Sequence, residues 1–263
     1  MADITVRKIR FSFEEPFDFD VPDERLGAML PPLGLSMTMP YLEPYLIRSM
    51  KVALREITDP QLADDARRFS QQEGHHYRNH ALLNEQLRGK FDSATADALR
   101  AIESDLEADY QRFSRTKSLR FNLAYAEGFE AMTCALALAA AEHGTFDGEM
   151  LPGGEVWAWH MAEEIEHRTV AFDVYQHLVG RYPYRLVFGT WAQRHYLSYV
   201  RRFASCMAEA LGHTMVRPKG AMQRSAFRRY LGTLRPGYDP AKVDVPDCVD
   251  ELLARYSALA SAP

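Results

Sequence analysis

The sequence predicts an all-α protein, a four-helix bundle with extra helices and a short extended N-terminal arm. Three observations support this fold class. From residue 40 onward, apolar residues recur every three or four positions, as on one face of a helix. Runs rich in valine and isoleucine, which are typical of strands, are nearly absent from the same region. The spacing Glu-x-x-His, which builds metal centres inside helical bundles, occurs twice, at Glu73 to His76 and at Glu164 to His167.

The N-terminal elements differ from the rest of the chain. Residues 1–40 alternate briefly and then become rich in proline and glycine, which predicts an extended arm followed by an irregular apolar loop over residues 30–39. The helical pattern starts at Pro40, and its first helix carries Glu43.

A second helix is predicted over residues 60–88. Asp59 is a good N-cap with Pro60 in the first helical position, and Gly89 ends the helix. The helices predicted after it cover residues 92–117, 119–143, 154–179, 184–211 and 247–260. We expect one domain with terminal extensions, divided into an arm and loop (1–40), a bundle (41–215) and a C-terminal helical extension (216–263).

Length and charge restrict the class of function. A chain of 263 residues, 47% of them apolar, can bury a sizeable core. Its net charge of −5 argues against a general nucleic-acid binder. We therefore expect a small-molecule substrate and no nucleic-acid partner, and the sequence is compatible with a homodimer.

The N-terminus and the cysteines bear on the cellular compartment. The first residues are charged where a secretory signal has an apolar run, and no window approaches about 18 uninterrupted apolar residues. The cysteines are odd in number and widely spaced, which is typical of reduced thiols. We expect a cytoplasmic protein without a transmembrane segment.

Four core helices carry acidic residues and histidines in the order Glu, Glu-x-x-His, Glu, Glu-x-x-His. These residues are Glu43, then Glu73 with His76, then Glu130, then Glu164 with His167. Buried carboxylates repel one another, and two divalent cations supply the charge that neutralises four of them. The pattern predicts two metal ions, with iron preferred and manganese or zinc as alternatives. A structural network of buried polar residues is the competing interpretation.

Some positions keep alternatives. Glu127 lies one turn from Glu130, and either can be the ligand on its helix. Glu163 adjoins Glu164, but only Glu164 keeps the Glu-x-x-His spacing. His160 lies within about 60° of Glu164 and His167 around the helix axis, so all three can converge on one metal. Candidate hydrogen-bond partners of the ligand imidazoles are His80 and Asp173.

Several of these segments resemble known families. Residues 43–50, 58–60, 72–76, 130–133 and 163–167, together with His80 and Asn84, resemble the bacterial family named "predicted metal-dependent hydrolase" over most of residues 5–255. More broadly they resemble the ferritin-like di-iron carboxylate proteins, which implies a ferritin-like bundle. The spacing of His160, Glu164 and His167 is similar to that of the di-iron arylamine N-oxygenases of the p-aminobenzoate N-oxygenase type. That resemblance implies the ligands Glu43, Glu73, His76, Glu130, His160, Glu164 and His167.

The leading functional hypothesis is a di-iron oxygenase or oxidase that uses dioxygen to oxidise a small organic substrate, with an electron donor as a further partner. The first alternative is a hydrolase that uses water activated by two metal ions. The second is a non-catalytic or ferroxidase-like metal-binding protein. None of these hypotheses requires a catalytic side chain beyond the metal ligands.

Overall fold

The computed structural model describes residues 4–13, 17–145, 153–214 and 220–261. No strand occurs in these ranges, and the predicted all-α fold is confirmed. A short 3₁₀ turn, Pro240–Lys242, precedes the last helix. The α-helices are α1 (Asp23–Ala53), α2 (Pro60–Arg88), α3 (Ser93–Thr116), α4 (Leu119–Glu142), α5 (Gly154–Glu166), α6 (Val170–Leu178), α7 (Tyr182–Ala210), α8 (Ala221–Thr233) and α9 (Cys248–Ala260).

Four helices enclose the centre of the bundle. α1 packs against α2 and α4, and α5 also packs against α2 and α4, so the inward faces of the four helices meet. α7 covers α1 and α4 from outside. The contact between α4 and α7 is close because Gly128 faces Gly189, and a Cβ atom on Gly128 would lie 2.7 Å from the Gly189 carbonyl oxygen.

The prediction of an irregular loop over residues 30–39 is wrong. α1 begins at Asp23 and runs through this segment, so residue 40 lies inside a helix. Pro31 and Pro32 indicate a loop because an interior proline costs a helix about 3 kcal/mol. Burial of one large apolar side chain contributes roughly 1.5–3 kcal/mol, which outweighs that cost when several are buried. The buried apolar side chains of residues 30–39 are Leu30, Leu33, Met37 and Met39.

The predicted start of α2 is confirmed. The Asp59 carboxylate accepts hydrogen bonds from the backbone N–H groups of Gln61 at 2.8 Å and Leu62 at 3.2 Å. Pro60 is the first helical residue, where its missing N–H costs nothing, and Gly89 caps the other end.

Residues 154–179 form two helices instead of the predicted one. α5 ends at Glu166, and the backbone of His167 turns to φ −93° and ψ 10°. The His167 N–H still donates to the Glu163 carbonyl oxygen at 3.0 Å, and the Val170 N–H donates to the His167 carbonyl oxygen at 3.0 Å. His167 therefore keeps its place one turn after Glu164, although it lies outside the helix.

The N-terminal arm packs along the bundle without forming a helix or strand over residues 4–13 and 17–22. The Phe11 N–H donates to Asn79 Oδ1, and Asn79 Nδ2 donates to the Ile9 carbonyl oxygen, both at 3.0 Å. Gln72 Nε2 donates to the Thr5 carbonyl oxygen at 3.0 Å. These bonds fix the arm to α2.

α4 is the central helix of the structure. Among the described helices it alone is long and apolar enough, by composition, to cross a membrane. However, 89% of its most apolar window is buried inside the protein, as expected for the core helix of a bundle.

Candidate metal centre

The seven nominated side chains meet at one place in the bundle. Each is between 0 and 3% exposed. α1, α2, α4 and α5 provide six of them, and the seventh follows the last residue of α5. The seven are Glu43, Glu73, His76, Glu130, His160, Glu164 and His167.

Their ligand atoms form two adjacent groups, and within each group the atoms lie within 4.8 Å of one another. The first group comprises Glu43, His76 and His160, and the second comprises Glu73, Glu130, Glu164 and His167.

The two groups adjoin. His160 Nε2 lies 3.6 Å from Glu43 Oε1 in its own group and 3.0 Å from Glu164 Oε1 in the other. In the second group, His167 Nε2 lies 3.3 Å from Glu130 Oε2 and 3.5 Å from Glu164 Oε1. Two metal ions can therefore be held side by side.

Many of the atoms that could bind a metal here have no hydrogen-bond partner among the described residues. They are both carboxylate oxygens of Glu43, Glu73 and Glu130, together with His76 Nδ1 and His167 Nε2. A buried polar atom without a partner costs about 1–3 kcal/mol, and charged groups cost more. Carboxylate oxygens and imidazole nitrogens are common ligands of first-row divalent metals. The donor set therefore fits metal ions as the partners.

Each imidazole is oriented through its outer nitrogen. His76 Nε2 lies 2.9 Å from Glu163 Oε2. His167 Nδ1 lies 3.0 Å from Gln72 Oε1. His160 Nδ1 lies 2.8 Å from Nε2 of His80. Such bonds fix the ring so that its other nitrogen points at the metal.

The contact expected of His80 is present, whereas Asp173 contacts no imidazole in the part of the chain that the structure describes. His80 is itself held by Ser36, whose Oγ lies 2.8 Å from His80 Nδ1. Asp173 is exposed on α6, and its carboxylate interacts with the side chain of Thr169.

The two alternative glutamates lie outside the cluster. Glu127 pairs with Arg185, whose Nη1 is 2.6 Å from Glu127 Oε1. Glu163 pairs with Arg7 of the N-terminal arm, with 3.0 Å between Arg7 Nη1 and Glu163 Oε1. The α4 carboxylate in the cluster is therefore that of Glu130, one turn after Glu127. Sequence spacing does not reveal Arg7, because its partners lie far away in the chain.

Burial and mutual repulsion raise the pKa values of three carboxyls. The pKa values of Glu43 and Glu130 are well above the ordinary value, and that of Glu73 rises to about 8. Burial would also raise the pKa of Glu164, but His167 and His160 lower it well below the usual range. Without metal, this centre therefore retains protons that bound cations would displace.

An apolar cavity of about 400 Å³ adjoins the cluster. Thr133 joins the two, because it lines the cavity and its Oγ1 donates a 2.6 Å hydrogen bond to Glu164 Oε2. Trp157 also lines the cavity, and its ring lies nearly parallel to that of His160 with 6.5 Å between centroids. The cavity thus ends one side chain away from the carboxylates.

A family model described as "predicted metal-dependent hydrolase" matches residues 5–244. The chain belongs to this family. The match confirms the resemblance carried by the sequence motifs. No curated protein and no solved structure matches the chain.

Membership of the hydrolase family contradicts the leading functional hypothesis. The prediction of a di-iron oxygenase or oxidase is wrong, and the hydrolase alternative has the better support. The ligand pattern misleads because glutamate and histidine hold metals that activate water as well as metals that react with dioxygen. The expected dioxygen and electron donor belonged to that hypothesis. The family description and the two clusters support a metal-dependent enzyme.

Proposed function

We propose that this protein is a hydrolase with two divalent metal ions held by the cluster residues: Glu43, Glu73, His76, Glu130, His160, Glu164 and His167. Two findings carry the proposal together: buried ligand atoms converge here with no hydrogen-bond partner among the described residues, and the chain belongs to a metal-dependent hydrolase family. Four carboxylates balance two divalent cations, so the bundle interior stays neutral. Zinc, manganese and iron all suit oxygen and imidazole ligands.

The residues of the chain prepare the centre for hydrolysis. Bound divalent metals would lower the pKa of a water molecule and polarise an oxygen of the substrate. Glu163, His80 and Gln72 hold the three imidazoles in place. Thr133 Oγ1 donates a hydrogen bond to Glu164 Oε2. The other carboxylate oxygen, Glu164 Oε1, faces His160 Nε2. The apolar cavity beside Thr133 offers room for a substrate next to the cluster.

Metal stoichiometry tests the site. Metal-free protein should bind about two ions of Zn²⁺, Mn²⁺ or Fe²⁺ per chain, as four-helix carboxylate centres do. Glu130→Gln should bind less metal. Glu142→Gln, an exposed position on the same helix, is the matched control and should bind as the parent protein does. Equal metal content in the parent protein and Glu130→Gln would contradict the site.

Hydrolysis tests the reaction. The metal-loaded protein should hydrolyse a member of a panel of esters, amides and phosphate esters without dioxygen. Activity should disappear with a chelator and return with added metal. A fully loaded protein inactive on every class would show that the hydrolase proposal is wrong.

A further inference from the structure

We infer that the substrate is a carboxylic ester or amide whose apolar acyl chain occupies the cavity beside Thr133. This inference rests on the proposed hydrolase function and adds the substrate class. Most described side chains around the cavity are apolar, among them Leu35, Leu136, Met161 and Val200. A mainly apolar pocket with a few polar groups is typical of a small-molecule site.

The two ends of the cavity differ in their surroundings. Its inner end is Thr133, which bonds to a carboxylate oxygen of the metal cluster. Its outer end includes Arg25 and Ala28 of α1, which are both exposed, and Gln223 of α8. An elongated substrate therefore fits with its reacting bond near the cluster and its apolar chain extending toward α1 and α8.

Charge disfavours a phosphate ester in this cavity. Among the described lining residues Arg25 alone is charged, and it lies at the exposed end. Phosphate groups are usually held by several arginine, lysine or backbone N–H donors. Two divalent cations would already be neutralised by four glutamates. A neutral carbonyl compound suits these surroundings better, because burying an unpaired charge is costly.

The reaction needs no further reagent. The oxygen of water bonds to the acyl carbon, and the bond from that carbon to the alcohol oxygen or amine nitrogen breaks. The electron pair of the broken bond goes to the leaving oxygen or nitrogen, which takes a proton from the water. The products are a carboxylic acid and an alcohol or amine, and no atom is oxidised or reduced.

A series of 4-nitrophenyl esters, from acetate through butanoate to octanoate, tests the inference on the metal-loaded protein. Each methylene group that the cavity removes from water should raise kcat/KM about fourfold, until the cavity is filled. Binding of the neutral ketone 2-decanone to metal-free protein, measured by calorimetry, gives a readout that does not depend on activity.

Two variants locate the binding site. Ala28→Trp at the mouth should weaken 2-decanone binding and lower kcat/KM for the octanoate ester about tenfold, with little effect on the acetate ester. Ala98→Trp, at another exposed position, on α3 and outside the cavity, is the matched control. Leu136→Trp fills the cavity from α4 and should reproduce the loss if a tryptophan at position 28 turns outward.

The outcomes separate the substrate class from the hydrolase function. Ester hydrolysis that does not depend on chain length, with no 2-decanone binding, would overturn the substrate class and leave the hydrolase proposal standing. Hydrolysis of phosphate esters alone would do the same. Failure with every class would overturn both.

Discussion

Arg7 Nη1 lies 3.0 Å from Glu163 Oε1, although 156 positions separate the two residues in the sequence. The same guanidinium donates to both carboxylate oxygens of Glu166, at 2.8 and 2.9 Å. Glu163 also meets His76 Nε2 at 2.9 Å. The N-terminal arm is thereby connected to a proposed metal ligand through two buried side chains.

Arg7→Met should destabilise the protein strongly. The substitution keeps an apolar stem but leaves Glu163 and Glu166 without their cation, and breaking a buried ion pair costs about 3–5 kcal/mol. Urea denaturation of metal-free protein measures the loss. Arg10→Met, at an exposed position on the same arm, should change the free energy of unfolding by less than about 0.5 kcal/mol. Equal stability of the two variants would show that the Arg7 contacts contribute nothing.

His80→Leu should weaken metal binding while Asp173→Asn should not. His80 orients His160 through a 2.8 Å contact, and loss of such a partner costs about 10–100-fold in metal affinity. Asp173 bonds to Thr169 and makes no contact with an imidazole among the described residues. Competition with a coloured chelator gives both affinities. His80→Gln, which keeps a polar group near His160, should recover part of the loss, and unchanged affinity in His80→Leu would refute the role of His80.

Local patterns explain what the sequence predicts correctly. Apolar periodicity places the helices, and Asp59 with Pro60 fixes the start of α2, because both signals depend on neighbouring residues. The Glu-x-x-His spacing places two ligands on one helical face for the same reason. The structure brings the four residues with this spacing together with Glu43, Glu130 and His160, which the order of the helices and the family resemblance add to the set.

Long-range contacts explain what the sequence does not predict. The prolines of α1 indicate a loop, but burial of side chains such as Leu30 and Leu33 against other helices makes the segment helical. Nothing in the sequence around Arg7 distinguishes it from other charged residues, because its ion pair with Glu163 forms only in the folded chain. The reaction is likewise not predicted by local patterns, because one set of ligands supports several metals and reactions. Only the family match favours hydrolysis.

Gly128→Ala should destabilise the contact between α4 and α7. The added Cβ would lie 2.7 Å from the Gly189 carbonyl oxygen, so the helices must separate, at a cost of roughly 1–3 kcal/mol. Because Glu130 lies two residues further along α4, metal content should also fall. Gly232→Ala on α8 is the control, because its added Cβ meets no atom of the described residues within 4 Å, and its stability should be unchanged or raised by up to about 1 kcal/mol. Thermal unfolding compares the two, and a Gly128→Ala protein as stable as Gly232→Ala would contradict the close contact.

Metal-free protein should become less stable as pH rises from 7 to 9. The pKa of Glu73 is raised from 4.5 to about 8 by burial and by Glu164, so its stabilising contribution is present below pH 4.5 and is lost as pH rises through about 8. The raised pKa values of Glu43, Glu130 and His167 act in the same direction.

Histidines with lowered pKa values, such as His80, are mostly neutral in both the folded and the unfolded chain above pH 7, so they change stability little as pH rises further. Each extra proton bound by the folded state changes stability by about 1.4 kcal/mol per pH unit. Zinc replaces these protons, so the loaded protein should show a flatter profile. Urea midpoints across the pH series, with chelator or with Zn²⁺, measure both profiles, and Glu73→Gln should reduce the slope of the metal-free protein. A midpoint that rises with pH in the chelated sample would show that the buried carboxyls are already ionised without metal.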